Sequence, residues 1–428
     1  VFYGDSIGQK MLKFAIMSDL HIGIAARSKD LCPEPKAAER KKKNRYNIKV
    51  DNKYREYFLD FIEKEKITAD YLVLPGDITN SAHPEEVRLA SEFIVEVADV
   101  LEVPHDKIVF TPGNHDVDWS VYDATDSTGV KWKQRYNAFY HDDFHFNSLL
   151  QRGVGDVFLP PHFVLWSFDD IIVLSYNSAS HDEPKIKGPV HHGLADPAHL
   201  EKISIQLDKI NGNDKRLRVF LVHHHPIDFS DPIASTADFS LMTNASNLLE
   251  LLHKYNFDIV VHGHKHHPRF ETHCTPTYPH LPILCAGSFS VEIDSKWAGT
   301  IANQFHLVVV EDKKFESVNI QGEIISWAYN PVKRWFPSEE SSCGIHHVVP
   351  FGNYIVPDEL DALVYPFICE ALRKNDNVLW KNVLKEFPNL KHLPVKSAEE
   401  AFKRYSEKLD CEVYFYTSIH GIMLSTKE

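Results

Sequence analysis

Long apolar runs are missing from this chain. None approaches the roughly 20 residues a membrane-spanning helix needs, and the run Phe14 to Met17 stops at Asp19, too short for a secretory leader. No membrane partner is therefore expected. Cysteine is sparse: Cys32, Cys274, Cys285, Cys343, Cys369 and Cys411 are scattered through 428 residues without a C-x-x-C pair. That scatter predicts reduced, buried thiols in a cytoplasmic protein. Positive charge is in deficit. Lys and Arg number 46 against 60 Asp and Glu, a formal net charge of -14, which argues against a general basic surface for long nucleic acid. Internal repeats and low-complexity tracts are also lacking.

Histidine is what the chain has in excess, with 26 copies. It is the commonest metal ligand and the natural proton-transfer group, so its placement carries the reading. Hydrophobic residues at 43% and charged residues at 25% are enough for a full core. The length suits one large domain with a smaller one. Met11 reads as a natural start, with residues 1–10 as an extension.

One local design recurs through the first two-thirds: a short apolar run that ends in metal-type residues. Phe14-Ala-Ile-Met-Ser leads to Asp19-Leu-His21, Tyr71 to Gly76 leads to Asp77, and Ile108 to Gly113 leads to Asn114-His115-Asp116. Arg218 to Val222 leads to His223-His224-His225-Pro226, and Asp258 to Val261 leads to His262-Gly263-His264-Lys265-His266. The runs predict buried strands. Between them, Pro84 to Leu101 has the 3.6-residue apolar period of a helix with Pro at its first turn, and Tyr57 to Ile62 predicts another. Strands alternating with helices predict an α/β fold, whose ligands gather beyond the carboxyl ends of the strands.

Phe163 to Asn177 predicts a hairpin turning at Asp169-Asp170, and further strands are expected at Phe305 to Glu311, Phe315 to Gln321 and Glu323 to Ala328. Pro331 to Ser342 predicts a linker. Beyond it, helices over Leu360 to Arg373 and Ala398 to Leu409 and a strand over Glu412 to Ser425 predict a small C-terminal α/β accessory domain. The boundaries expected are 1-336 for the catalytic domain and 337-428 for the accessory domain, with oligomerisation one role open to the latter.

Two adjacent metal ions need a bridging carboxylate flanked by oxygen and imidazole donors; such a pair lowers the pKa of a water and neutralises phosphoryl oxygens. Asp77 is the natural bridge. Asp19, His21, Asn114, His224, His264 and His266 supply the remaining donors. Each motif alone is common by chance; five in order, each after a strand, are not.

This order resembles the calcineurin-like metallophosphoesterases, over residues 12 to 330. The resemblance implies a double β-sheet sandwich flanked by helices. It implies a first divalent ion on Asp19, His21, Asp77 and His266, and a second on Asp77, Asn114, His224 and His264. Mn, Fe or Zn would serve, Mn first. His224 is chosen because the ligand usually stands two residues before the Pro. His223 and His225 would share the opposite strand face, and His223 stays the alternative. His115 is implied as the outer catalytic histidine, with Asp116 positioned to orient it. His192 and Asn177 are candidates for substrate contact.

Ser/Thr protein phosphatases of the superfamily carry Asp-Arg-Gly where this chain has Asp77-Ile78-Thr79. The missing Arg disfavours phosphoprotein substrates. Gly76-Asp-Ile-Thr-Asn-Ser with Pro84-Glu-Glu is similar to the bacterial cyclic-nucleotide phosphodiesterase branch, and Asp19-Leu-His21-Ile-Gly to the SbcD nuclease branch. The expected function is a binuclear phosphodiesterase acting on a cyclic or related nucleotide. The alternative is a DNA or RNA nuclease, for which the basic run Arg40 to Arg45 would face phosphate. A non-catalytic scaffold would have lost Asp77 or His115, and both are present.

Overall fold

A computed structural model describes residues 11–34, 53–121, 134–140, 154–155, 162–182, 192–210, 212–228, 241–275, 280–293, 300–311, 320–415 and 421–427. The strands are β1 Met11–Ile16, β2 Tyr71–Leu74, β3 Ile108–Phe110, β4 Val154–Gly155, β5 Phe163–Ser167, β6 Ile171–Tyr176, β7 Leu217–Val222, β8 Ile259–His262, β9 Pro268–His273, β10 Leu281–Ala286, β11 Asn303–Glu311, β12 Gly322–Asn330, β13 Arg334–Pro337, β14 Val348–Phe351, β15 Asn377–Leu379, β16 Cys411–Phe415 and β17 Ile422–Thr426. The first sheet has the order β13-β12-β11-β1-β2-β3, with β14 also pairing β12; the second has the order β4-β5-β6-β7-β8-β10-β9.

Strand alternation explains the layering. Ala15, Leu72, Leu74, Ile108 and Phe110 face outward onto the helices Tyr54–Glu65 and Pro84–Val100 through Phe58, Ile62, Ala90 and Ile94. Their neighbours Phe14, Ile16, Val73 and Val109 face inward and meet Val219, Leu221, Ile259 and Val261 of the second sheet. On that sheet's far side Phe220, Val222 and Val260 pack on the helices Pro197–Leu207 and Ala245–Lys254. Both faces of both central sheets are covered, so these strands carry unbroken apolar sequence. Each buried Leu, Ile, Val or Phe side chain contributes roughly 1.5–3 kcal/mol. The result is an α/β fold of two mixed sheets flanked by helices.

The topology also positions the site. β1, β2 and β3 run parallel, as do β6, β7, β8 and β10. Their carboxyl ends therefore lie along one edge of each sheet, and the loops leaving those ends converge.

Three expectations for the carboxyl-terminal part need correction. The linker expected over Pro331 to Ser342 contains β13, paired to β12, and its Trp335 packs into the first core among Tyr54 and Phe58. The boundary at 336/337 cuts off β14, which pairs Ile324 to Val349 inside the first sheet. The strand expected over Glu412 to Ser425 is two antiparallel strands, β16 and β17, with β15 completing a small sheet. That sheet packs with the helices Pro357–Lys374 and Val395–Leu409 around Trp380, Phe402 and Leu424. Residues 315–319 of one expected strand lie outside the described residues. Among the described residues no helix is long and apolar enough to cross a membrane.

Candidate metal centre

The loop after β1 carries Asp19 and His21, and the loop after β2 carries Asp77. Backbone bonds tie the two together: Asp19 N–H donates to the Gly76 carbonyl at 3.1 Å and His21 N–H to the Asp77 carbonyl at 2.9 Å. Asp19, His21, Asp77, His264 and His266 all have φ between 47° and 77°. Left-handed backbone at non-glycine residues costs of order 1–3 kcal/mol each and is retained where the surroundings enforce it. Glycine is needed where backbone meets carboxylate. A Cβ on Gly113 would sit 2.2 Å from Asp77 Oδ1, and one on Gly263 would sit 2.4 Å from Asp19 Oδ2.

Two groups of donors result, sharing Asp77: Asp19, His21, Asp77 and His266 in one, Asp77, His223 and His264 in the other. His21 Nε2 lies 3.1 Å from His266 Nε2, which lies 3.2 Å from Asp19 Oδ1. Asp77 Oδ2 stands between the groups, 3.4 Å from His21 Nε2 and 3.2 Å from His223 Nε2. Asn114 Oδ1 joins the second group at 3.2 Å from His223 Nε2 and 3.0 Å from His264 Nδ1.

These residues fit a pair of divalent ions. Ions of the zinc class hold N and O donors at about 2.0–2.2 Å, which places neighbouring donors about 2.8–3.6 Å apart. All the spacings just given lie in that range. Asp19 and Asp77 are wholly buried, and among the described residues their ion-pair partners are all histidines. Buried carboxylates without a counter-cation are costly.

The protonation pattern agrees. Burial, reinforced by His115, pushes His21 well below the ordinary imidazole value, and burial with His224 and His223 does the same to His264. Both are therefore neutral donors near pH 7. Burial alone would raise Asp77 and lower His223. Their mutual attraction overrides it, holding Asp77 well below the carboxylate range and lifting His223 to about 9. His223 Nδ1 donates to the Pro75 carbonyl at 2.9 Å, so its other nitrogen is the one turned to Asp77. A proton there occupies the place a cation would take.

His224 is a correction. The structure brings His223, not His224, beside Asp77, Asn114 and His264. Val219 and Leu221 face the first sheet, so alternation turns residue 223 the same way, toward the loops of β2 and β3. His224 points oppositely, with Nδ1 2.8 Å from Ser178 Oγ and Nε2 3.3 Å from Asp182 Oδ2. Ser178 and Asp182 had no signal in the sequence.

Asp116 is a second correction. It makes no hydrogen bond to the His115 ring. Its carboxylate accepts from the backbone N–H groups of Ile78 at 3.1 Å, Thr79 at 2.8 Å and Gly113 at 2.9 Å, and from the Thr79 hydroxyl at 2.9 Å. Burial and the Asp77 charge push it up to about 6. It locks the β2 and β3 loops together. The His115 ring is oriented instead by the Asn80 carbonyl, 2.9 Å from Nδ1, and stands edge-on to His21 with 4.6 Å between centroids.

Asn177, buried, donates its amide to the Tyr136 hydroxyl at 3.2 Å. His192 is half-buried and precedes Gly193, whose backbone packs on the His224 ring. Arg40 to Arg45 lie outside the described residues.

No curated protein matches this sequence. Purple acid phosphatase from yellow lupin (Lupinus luteus) seeds is similar in structure at 12% identity and a TM-score of 0.43, over 75% of this chain and 52% of that one. The NAD nucleotidase of Haemophilus influenzae is similar at 10% identity and a TM-score of 0.34, over 77% of this chain and 60% of that one. The chain thus spans between half and two-thirds of the length of these structures. The family model described as calcineurin-like phosphoesterase matches residues 12–268, a segment that runs from β1 through His266 and holds both Asp77-centred groups. Because that match takes in more than half of the chain, the protein belongs to the calcineurin-like phosphoesterase family.

Proposed function

We propose that this chain hydrolyses a phosphodiester of the nucleotide class, with two divalent ions, Mn first, held by Asp19, His21, Asp77, Asn114, His223, His264 and His266. The choice of diester rests on the two residues after Asp77. Ile78 is buried there and the Thr79 side chain is taken up by Asp116, so this position offers no guanidinium to the additional negative charge of a monoester. A diester monoanion makes no such demand.

Bound ions would supply charge neutralisation at the phosphoryl oxygens and a water of lowered pKa. The chain's own contributions are positional. Asp77 and Asp19 present carboxylate oxygens, His21 and His264 present neutral nitrogens, and His115 presents the ring nitrogen not held by Asn80 for proton donation to the leaving oxygen. The sparse cysteines, without a C-x-x-C pair, support a reducing, cytoplasmic setting.

The test compares kcat/KM on bis-p-nitrophenyl phosphate and p-nitrophenyl phosphate with Mn2+ added, and then on cyclic mononucleotides, RNA, and single-stranded and duplex DNA. Diester preference is expected. A clear monoester preference overturns the reading, and activity confined to DNA or RNA would replace it with the nuclease.

A further inference from the structure

We propose that Trp119 is a positioning residue for the metal centre: its indole, backed by Arg135, fixes the peptide unit between Asn114 and His115 and so aims the Asn114 side chain at the second ion. The inference rests on the two-ion reading given above. The Trp119 Nε1–H donates to the Asn114 backbone carbonyl at 3.1 Å. The other end of the same peptide unit, the His115 N–H, donates to Asp77 Oδ1 at 2.8 Å. A peptide unit is planar, so bonds at both of its ends fix how it is turned. One end is gripped by the carboxylate common to both donor groups, the other by Trp119.

Among the donors to the ions, Asn114 depends most on such a grip. Its amide carries no charge to draw it to a cation, and only its oxygen can ligate, while its NH2 group would repel. The oxygen serves because the backbone holds it 3.2 Å from His223 Nε2 and 3.0 Å from His264 Nδ1. Trp119 is itself held. Its half-buried ring packs against Val117, Tyr136 and Ala179, a small cluster of its own. The Arg135 guanidinium lies over that ring, 5.2 Å from the centroid, within the reach of a cation–π contact.

Arg135 is 4% exposed, too enclosed to meet a substrate, and its contacts face the protein. Its backbone carbonyl accepts from Asp118 N–H at 2.8 Å, and its Nη1 donates to the Asp182 carbonyl at 3.3 Å. The Asp182 carboxylate accepts from Gly193 N–H at 3.1 Å and lies 3.3 Å from His224 Nε2. The contacts therefore run from the turn after β6 through Arg135 and Trp119 to the backbone of Asn114. They tie the loop after β3 to the second sheet through side chains that touch neither ion.

Metal affinity decides the matter. Trp119→Phe removes the N–H and keeps a ring for Val117, Tyr136 and Ala179. Arg135→Met removes the charge over that ring and keeps the indole. Wild-type protein and both variants are stripped of metal, checked by Tm, and titrated calorimetrically with Mn2+. Groups that orient metal ligands from outside contribute about 10–100-fold to affinity. Trp119→Phe should therefore weaken the second ion by about tenfold or more and the first by much less, with Tm of the stripped protein nearly unchanged. Arg135→Met should weaken the same ion by a smaller factor. The ion is identified by adding Trp119→Phe to His266→Ala, which lacks a ligand of the first ion, and to His223→Ala, which lacks one of the second. The tight site left in His266→Ala should weaken and the one left in His223→Ala should not. Unchanged affinities in folded Trp119→Phe, or equal losses at both ions, overturn the proposal and leave the two-ion reading standing. Wild-type protein that takes up a single ion at saturation overturns that reading and the proposal with it.

Discussion

Asp77 Oδ2 and His223 Nε2 face each other at 3.2 Å in the buried space between the two sheets. The carboxylate comes from the end of β2 in the first sheet and the imidazole from the end of β7 in the second. The same oxygen is 3.4 Å from His21, so both donor groups depend on it.

Asp77→Ala should therefore lose more metal than any other single ligand change, close to both ions of the centre. With several kcal/mol of charge stabilisation removed, kcat should fall about a thousandfold or more. Elemental analysis beside steady-state rates checks this. Loss of one ion alone would remove Asp77 as the bridge. Because a proton on His223 competes with the ion, metal affinity in wild-type protein should strengthen as pH rises toward about 9. A titration series across that range should show it.

His223→Ala and His224→Ala separate neighbours with different tasks. The first should lose the ion shared with Asn114 and His264. The second should keep both ions while losing its buried hydrogen bond with Ser178 and its contact with Asp182, at a stability cost of about 1–3 kcal/mol. Denaturant unfolding and metal content, measured on both variants, test the assignment. Metal loss from His224→Ala with His223→Ala unaffected would reverse it.

Much of this site could be read from the chain because parallel strands deliver their carboxyl ends to one edge. An apolar run ending in Asp or His is then both a strand and an address. Asp77 could be read as the shared donor for that reason. His223 could not be told from His224, since alternation says which residues share a face and not which face looks at the partner sheet. In β7 both faces are apolar, Val219 and Leu221 on one and Phe220 and Val222 on the other. Asp116 had no readable role because its partners are backbone amides of another loop. β14 was missed because four residues, two of them Val, give no period.

Asp116→Ala should destabilise the protein more than it slows the reaction. Four donors would be left facing a cavity, three of them buried backbone N–H groups, and each such loss costs about 1–3 kcal/mol. Asp116→Asn should be little better, since its NH2 would face donors. Thermal unfolding of both variants is the measurement. A large rate loss with unchanged Tm would restore a direct role in the reaction.

His115 is the residue whose effect should depend on the substrate. Its backbone N–H donates to Asp77 Oδ1 at 2.8 Å and its Nδ1 is held by the Asn80 carbonyl. The ring thus stands over the centre without belonging to either donor group. With Nδ1 as the donor to Asn80, the lone pair lies on Nε2, and that nitrogen can pick up and pass on a proton. A ribose oxygen leaves poorly unless protonated, whereas p-nitrophenolate hardly needs the proton. Proton donation contributes roughly a hundred- to ten-thousand-fold where it is needed. His115→Ala should accordingly keep its metal and its fold, lose about that factor on a nucleotide diester, and lose much less on bis-p-nitrophenyl phosphate. Rates on both substrates, taken with metal content, separate the roles. Equal losses with metal retained would make His115 an electrostatic contact to the phosphoryl group, and metal loss would make it a support for the Asp77 loop.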